Sequence, residues 1–85
     1  MKRRLELLGK TVRGRREVLG LRQADLAELA GCSQRFVHTV EQGKATLRLD
    51  KLLDVLEVLG LGLRLVPGRG EVEGPLQTPS GQDHP

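Results

Sequence analysis

The sequence predicts an all-α fold of four to five short helices with one short β-strand at its C-terminal end, on three observations. Apolar residues recur three and four apart in four segments, a glycine follows each segment at Gly20, Gly31, Gly43 and Gly60, and the spacing turns to alternate residues at Leu61-Gly62-Leu63-Arg64-Leu65-Val66.

The first helix is expected near residues 6–19, where Leu5, Leu8, Val12 and Leu19 fall on one side and Gly20 supplies the stop; Gly14 is its weak point. The second runs from about Gln23 to Ala30, with Leu26, Ala27, Leu29 and Ala30 as its apolar face and Gly31 as its end. Ser33 is a good N-cap for the third, because its hydroxyl can accept one of the amide hydrogens that a first helical turn leaves free; Val37 and Val40 then point inward until Gly43. After a loop of roughly Lys44 to Leu47, the residues Leu49, Leu52, Leu53, Leu56 and Leu59 form a strong stripe closed by Gly60, the fourth helix. In the strand, Leu61, Leu63 and Leu65 share one side, and Pro67-Gly68 halts it. One strand has no partner in an otherwise helical chain, so its backbone groups predict pairing with the same strand of a second copy across a homodimer. The alternative is an extended tail that lays its leucines over the core. Residues 1–66 are thus read as the folded unit, and 67–85, rich in glycine, proline and polar residues, as a disordered tail.

At 85 residues there is room for one domain, and a core this small gains from association with a second copy. The usual staples are missing from the sequence: there is one cysteine, Cys32, and the two histidines, His38 and His84, stand far apart. A lone cysteine fits a reducing compartment, and Cys32 is read as a small buried filler. Lys2-Arg3-Arg4 resembles the start of a secretion signal, yet the following Leu5-Glu6-Leu7-Leu8-Gly9-Lys10 is too short and too charged to complete one, and no stretch has the length of a membrane span; a cytoplasmic protein is expected.

The net charge of +3 hides an asymmetry. Lys2, Arg3, Arg4, Lys10, Arg13, Arg15, Arg16 and Arg22 crowd the first 22 residues against only Glu6 and Glu17, while Asp50, Asp54 and Glu57 gather on the fourth helix. Such separation favours a polyanion on one side, although a charged run also serves as a plain solvated face. With aromatics at 1% there is little to stack unpaired bases on, so duplex DNA is the better polyanion. Catalysis is disfavoured: neither histidine has a carboxylate and a nucleophile arranged around it, and the glycines form no phosphate-cradling loop before a helix. No cofactor or metal is called for.

The second and third helices carry the functional pattern. Ala27, Gly31, Val37 and Val40 stand at successive offsets of four, six and three, the spacing of a helix-turn-helix unit. Ala27 permits close approach, Gly31 can take positive φ in the turn, and the two valines anchor the following helix from inside.

With these residues in place, Arg16, Gly20-Leu21, Gln23-Ala24-Asp25-Leu26-Ala27, Ser33, Val37, Val40-Glu41 and Gly43-Lys44 resemble the phage-repressor-like, or XRE, family of helix-turn-helix regulators over residues 8–60. Arg35-Phe36-Val37, Gly43-Lys44, Leu47-Arg48-Leu49-Asp50-Lys51 and Leu59-Gly60-Leu61 resemble the HipB-like antitoxins that partner HipA-like serine/threonine kinases. The resemblance implies that Gln23 holds a DNA phosphate through its side chain and backbone amide, with Lys44 as a second phosphate anchor. It implies that Ser33, Gln34, Arg35 and Thr39 face the bases; glutamine can pair bidentately with adenine and arginine with guanine. His38 lies beside them, as a contact to phosphate or water or as a reader of bases. Phe36 departs from the small polar residue common in the family, and either meets a thymine methyl at the edge of the interface or enters the core. Glu41 is implied to pair with Arg16 as a structural ion pair. Arg13 and Arg15 are open to backbone contacts or to solvent. The resemblance further implies a homodimer on an inverted-repeat operator and a toxin-antitoxin module; the alternatives are a stand-alone regulator with no toxin, or an antitoxin acting mainly through protein contacts.

Overall fold

Four helices follow one another along the chain in a computed structural model that describes residues 2–44 and 46–72: α1 (Lys2–Val18), α2 (Gln23–Ala30), α3 (Gln34–Glu41) and α4 (Leu49–Val58). Helix α1 starts about four residues earlier than its apolar pattern suggests, because Lys2, Arg3 and Arg4 are good helix formers with no stop among them.

Each helix ends in the same device. At the end of α3, Gly43 takes φ +73°, its amide bonds to the Val40 carbonyl at 3.1 Å, and the Lys44 amide reaches back to Thr39 at 3.4 Å. This pair of bonds satisfies carbonyls that a last turn leaves open, and it requires a left-handed residue that glycine supplies without a Cβ clash. The same pairing recurs at Gly20, Gly31 and Gly60, which accounts for how well the glycines mark the helix ends.

The core is Val12 from α1, Leu26 and Ala27 from α2, Val37 and Val40 from α3, and Leu52, Val55, Leu56 and Leu59 from α4. Three expected stripes shift: in α2, Leu29 faces outward at 63% exposure, leaving Leu26 and Ala27 buried with Ala30 packed against the core. Leu19 lies outside α1 and is 43% exposed, so α1 contributes Val12 with half-buried Leu5 and Leu8. In α4, Leu49 and Leu53 face outward at 60% and 43% exposure, and Val55 takes the place they were expected to fill. Leu52, Val55, Leu56 and Leu59 have spacings of three, one and three, and make the narrower stripe that the three preceding helices can cover.

Helix α1 meets α3 more closely than side-chain packing would allow. A Cβ built on Gly9 would lie 2.6 Å from the Val40 carbonyl oxygen and 2.7 Å from that of Glu41, and one on Gly43 would lie 2.9 Å from the Glu6 Cα. The end of α3 thus rests backbone to backbone on the first half of α1. At the far end of α1, Arg15 Nε donates to the Leu59 carbonyl at 2.8 Å, tying α1 to the end of α4. That bond gives Arg15 a structural role that neither of its two expected readings contained.

Residues 61–66 form no strand in the single chain, and no strand occurs among the described residues. A strand exists through its ladder, and among the described residues this segment has no neighbour to pair with. Of its alternating leucines, Leu61 packs against the core, while Leu63 and Leu65 are 51% and 97% exposed. The alternative in which all three cover the core is therefore corrected: only Leu61 does. The expected disordered tail lies, from residue 73 onward, outside the described residues, as does His84. Among the described residues no helix is long and apolar enough to cross a membrane.

Candidate nucleic-acid interface

The candidate surface begins with the cap of α3. Ser33 is extended (φ −85°, ψ 154°), and its Oγ accepts a hydrogen bond from the Phe36 amide at 3.0 Å, so the hydroxyl that was expected to face bases also starts the helix. Val37 and Val40 are buried, which turns Gln34, Arg35 and His38 outward; all three are exposed. Gln42, four residues after His38 and next to the Gly43 stop, is exposed on the same side. It is absent from the sequence-based set, yet its signal was available: it continues the spacing Gln34, His38, Gln42. His38, expected beside the face, stands in its middle. Thr39 lies at the flank, half-buried, with its hydroxyl donating to the Arg35 carbonyl at 2.9 Å. Phe36 occupies the other flank, half-buried and packed against the core.

Behind this face a polar network joins three elements. Arg16 Nε and Nη2 donate to the two oxygens of Glu41 at 2.6 and 3.0 Å, and Arg16 Nη1 donates to the Leu21 carbonyl at 2.8 Å. The Arg16 and Glu41 side chains keep 12% and 3% exposure. The Glu41 hydrogen bond raises the Arg16 guanidinium further above its ordinary value, against the opposing effect of burial. Gln23 Nε2 donates to Glu41 Oε1 at 3.0 Å. One carboxylate therefore fixes the residue that opens α2, the end of α3 and the last turn of α1 in a common frame. The spacing of these three residues does not show that the Gln23 side chain is held by Glu41.

At the start of α2, Arg22 takes the N-cap position, where a small polar residue is the usual choice, and folds back on Asp25. The Arg22 amide donates to Asp25 Oδ2 at 2.8 Å, and its guanidinium donates to both carboxylate oxygens at 3.0 and 2.9 Å. These bonds hold the Asp25 carboxyl at about 2, below its ordinary 3.8. Lys44 projects from the loop that follows α3 and is exposed. Arg13 pairs with Glu17 on the solvent side of α1. Cys32 is half-buried against the core, and burial pushes its thiol up, which makes it less reactive and fits a packing role.

Two short helices crossing at a glycine turn, the second with one buried and one polar face, define a helix-turn-helix arrangement, and the family described as "Helix-turn-helix domain" matches residues 7–67. The chain is an XRE-like member of the helix-turn-helix family. A relative from Sinorhizobium fredii, called an uncharacterized HTH-type transcriptional regulator, y4mF, is 42% identical over 62 residues, which are 72% of this chain and 82% of the relative. Among solved structures, the clp gene regulator ClgR from Corynebacterium glutamicum superposes with a TM-score of 0.61 at 26% identity, covering 73% of this chain. The chain spans 64% of that solved helix-turn-helix protein. The matched segment contains the Arg16–Glu41–Gln23 network and all of α3.

Proposed function

We propose that this protein is a cytoplasmic, sequence-specific regulator of transcription that binds duplex DNA as a homodimer, with residues 1–66 as its DNA-binding and dimerisation unit. The observation that carries the reading is the outward face of α3: Gln34, Arg35, His38 and Gln42 are exposed in register while Val37 and Val40 lock the opposite side into the core. A helix so presented fits the major groove, where glutamine and arginine can read base edges bidentately. Ser33 and Thr39 border the face, and Gln23 and Lys44 hold backbone phosphates, which fix register without reading sequence. Arg16 and Glu41 are structural: their pairing cancels a carboxylate that would otherwise repel the duplex.

The dimer rests on the segment 61–66. Leu63 and Leu65 stand exposed on a chain whose backbone groups there have no ladder, and pairing the two copies would cover both. Two recognition helices related by a two-fold axis then read an inverted repeat, with half-sites about 34 Å or a multiple apart.

The experiment is binding to duplexes selected from a random pool, by wild type and by a variant with Gln34→Ala and Arg35→Ala. Each bidentate contact is worth about 1–3 kcal/mol of discrimination. The variant is therefore expected to lose its preference for the selected duplex over a scrambled one while retaining weak, salt-sensitive binding to both. Unchanged preference would refute the assignment of α3 as the reading element.

The finer reading, a HipB-like antitoxin restraining a HipA-like kinase, is supported by sequence resemblance and by the exposed Leu49, Asp50, Leu53, Asp54 and Glu57 of α4. Co-expression with such a kinase tests it: the Gln34→Ala, Arg35→Ala variant should still form the complex. Failure of the wild type to bind the kinase leaves a stand-alone regulator.

A further inference from the structure

Two arginines of α1 touch the chain that follows α4. Arg15 donates from Nε to the Leu59 carbonyl at 2.8 Å, and its guanidinium lies against Gly60. Arg4 lies against Gly70: a Cβ built there would stand 3.2 Å from Arg4 Nη1 and 3.4 Å from its Cζ. Gly70 takes φ +85° at the end of a bend over residues 67–70, and Glu71 closes the bend by accepting the Arg69 amide at 2.8 Å. Backbone amides first, and then the charge of Arg4, hold the Glu71 carboxyl below its ordinary value.

Arg4 and Arg15 stand eleven residues apart in α1, about three helical turns, so they leave the helix on one side and about 16 Å apart along its axis. The five steps from Leu61 to Val66 also span about 16 Å when the chain is extended. The two contacts are therefore spaced for a segment 61–66 that runs extended along α1 and antiparallel to it, with the bend at 67–70 folding onto Arg4.

We propose that Arg4 and the Gly70 bend form a latch which, with Arg15 at the other end, holds residues 61–66 in the extended form that a second copy pairs with. This rests on the dimer reading above and deepens it, giving a positioning role to residues outside the interface. Latched, the segment still offers what a partner needs. Leu63 and Leu65 are 51% and 97% exposed, and among the described residues 62–66 make no backbone hydrogen bond. Without the latch, a chain that includes Gly62 has to be ordered at the moment of association, which lowers affinity; with it, part of that ordering is done within the single chain. Arg4 and Gly70 are both exposed, so the latch shifts the dimer equilibrium and leaves the helical core untouched.

The test measures the dimer dissociation constant of the full chain by sedimentation equilibrium. The proteins are wild type, Arg4→Gln, Gly70→Ala, the two combined, and Leu63→Lys with Leu65→Lys; circular dichroism confirms the helices of each. Arg4→Gln and Gly70→Ala should each weaken the dimer by about three- to tenfold, the effect of a small ordering cost moved into the binding step. The combined variant should be no weaker than either alone, because both changes remove one contact. In the Leu63→Lys, Leu65→Lys monomer, adding Arg4→Gln should lower the ¹⁵N heteronuclear NOE of residues 62–66, a direct reading of their order. Wild-type or tighter dimers in Arg4→Gln and Gly70→Ala, alongside a monomeric Leu63→Lys, Leu65→Lys protein, would overturn the latch and leave the interface standing. Additive losses in the combined variant would overturn the latch as well. A Leu63→Lys, Leu65→Lys protein that stays dimeric, or a wild type that is monomeric throughout, would overturn the interface and the latch together.

Discussion

Glu41 uses two oxygens to hold three elements: Arg16 takes both, and Gln23 shares one of them. With side chains only 12% and 3% exposed, neither partner can fall back on water if the other is removed. We expect Glu41→Ala to cost about 3–5 kcal/mol in urea unfolding, most of it from the stranded guanidinium. Replacing both, as Arg16→Met with Glu41→Leu, should restore stability to within about 1–2 kcal/mol of wild type, because the desolvation penalty goes with the charges. The same double variant should bind DNA up to about tenfold more weakly, since Gln23 must then be ordered on binding. Wild-type affinity in that protein would show that Glu41 does not position Gln23. Composition and spacing could not reveal this network. Arg16 and Glu41 lie 25 residues apart, and nothing in the residue types distinguishes Arg16 from Arg13, which pairs in solvent, or Arg15, which caps α4. Resemblance to a family singled out the pair; the bond from Gln23 became visible only in three dimensions.

Helix boundaries were legible for a local reason. A helix end needs a residue at positive φ, glycine supplies it at least cost, and the φ values of Gly20, Gly31, Gly43 and Gly60 all fall at 73–74°. How the helices pack was less legible, because a glycine inside a helix reads only as a weakness of propensity. Gly9 and Gly14 look alike in the sequence of α1, yet one has the carbonyls of Val40 and Glu41 within 2.7 Å of its missing Cβ and the other has nothing within 4 Å. The same substitution should therefore have opposite signs within one helix. Gly14→Ala should stabilise by about 0.5–1 kcal/mol, the ordinary gain of alanine over glycine in a helix. Gly9→Ala should destabilise by about 1–3 kcal/mol, because α3 must move off α1 to admit a methyl group. Two unfolding curves decide it, and equal effects would mean that α1 and α3 do not cross at Gly9. The buried stripe of α4 is narrower than its periodicity for a related reason: Leu49 and Leu53 satisfy helical spacing, but the helices before α4 cover only the face that Val55 shares.

Among the described residues nine make up the buried core, whereas Val18, Leu19, Leu29, Leu49, Leu53, Leu63, Leu65 and Val66 remain at 43% exposure or more. So small a core beside so much uncovered apolar surface is expected of a chain that completes itself by association. The alternation after α4 suggests where: Leu61 is held by the core and anchors the segment, while Leu63 and Leu65 project from it with unpaired backbone between them. Replacing both as Leu63→Lys with Leu65→Lys removes nothing from the single chain's core, so the monomer should keep its helices by circular dichroism. In sedimentation the proposed interface predicts a dimeric wild type and a monomeric variant, and a melting temperature that depends on protein concentration in the first and not in the second. Affinity for an inverted repeat should fall by about 10²- to 10⁴-fold, because the second half-site is no longer reached by a tethered partner, while affinity for a single half-site should stay the same. A variant that remains dimeric and keeps its bivalent affinity would move the interface away from residues 61–66, with the outward leucines of α4, Leu49 and Leu53, as the next surface to alter.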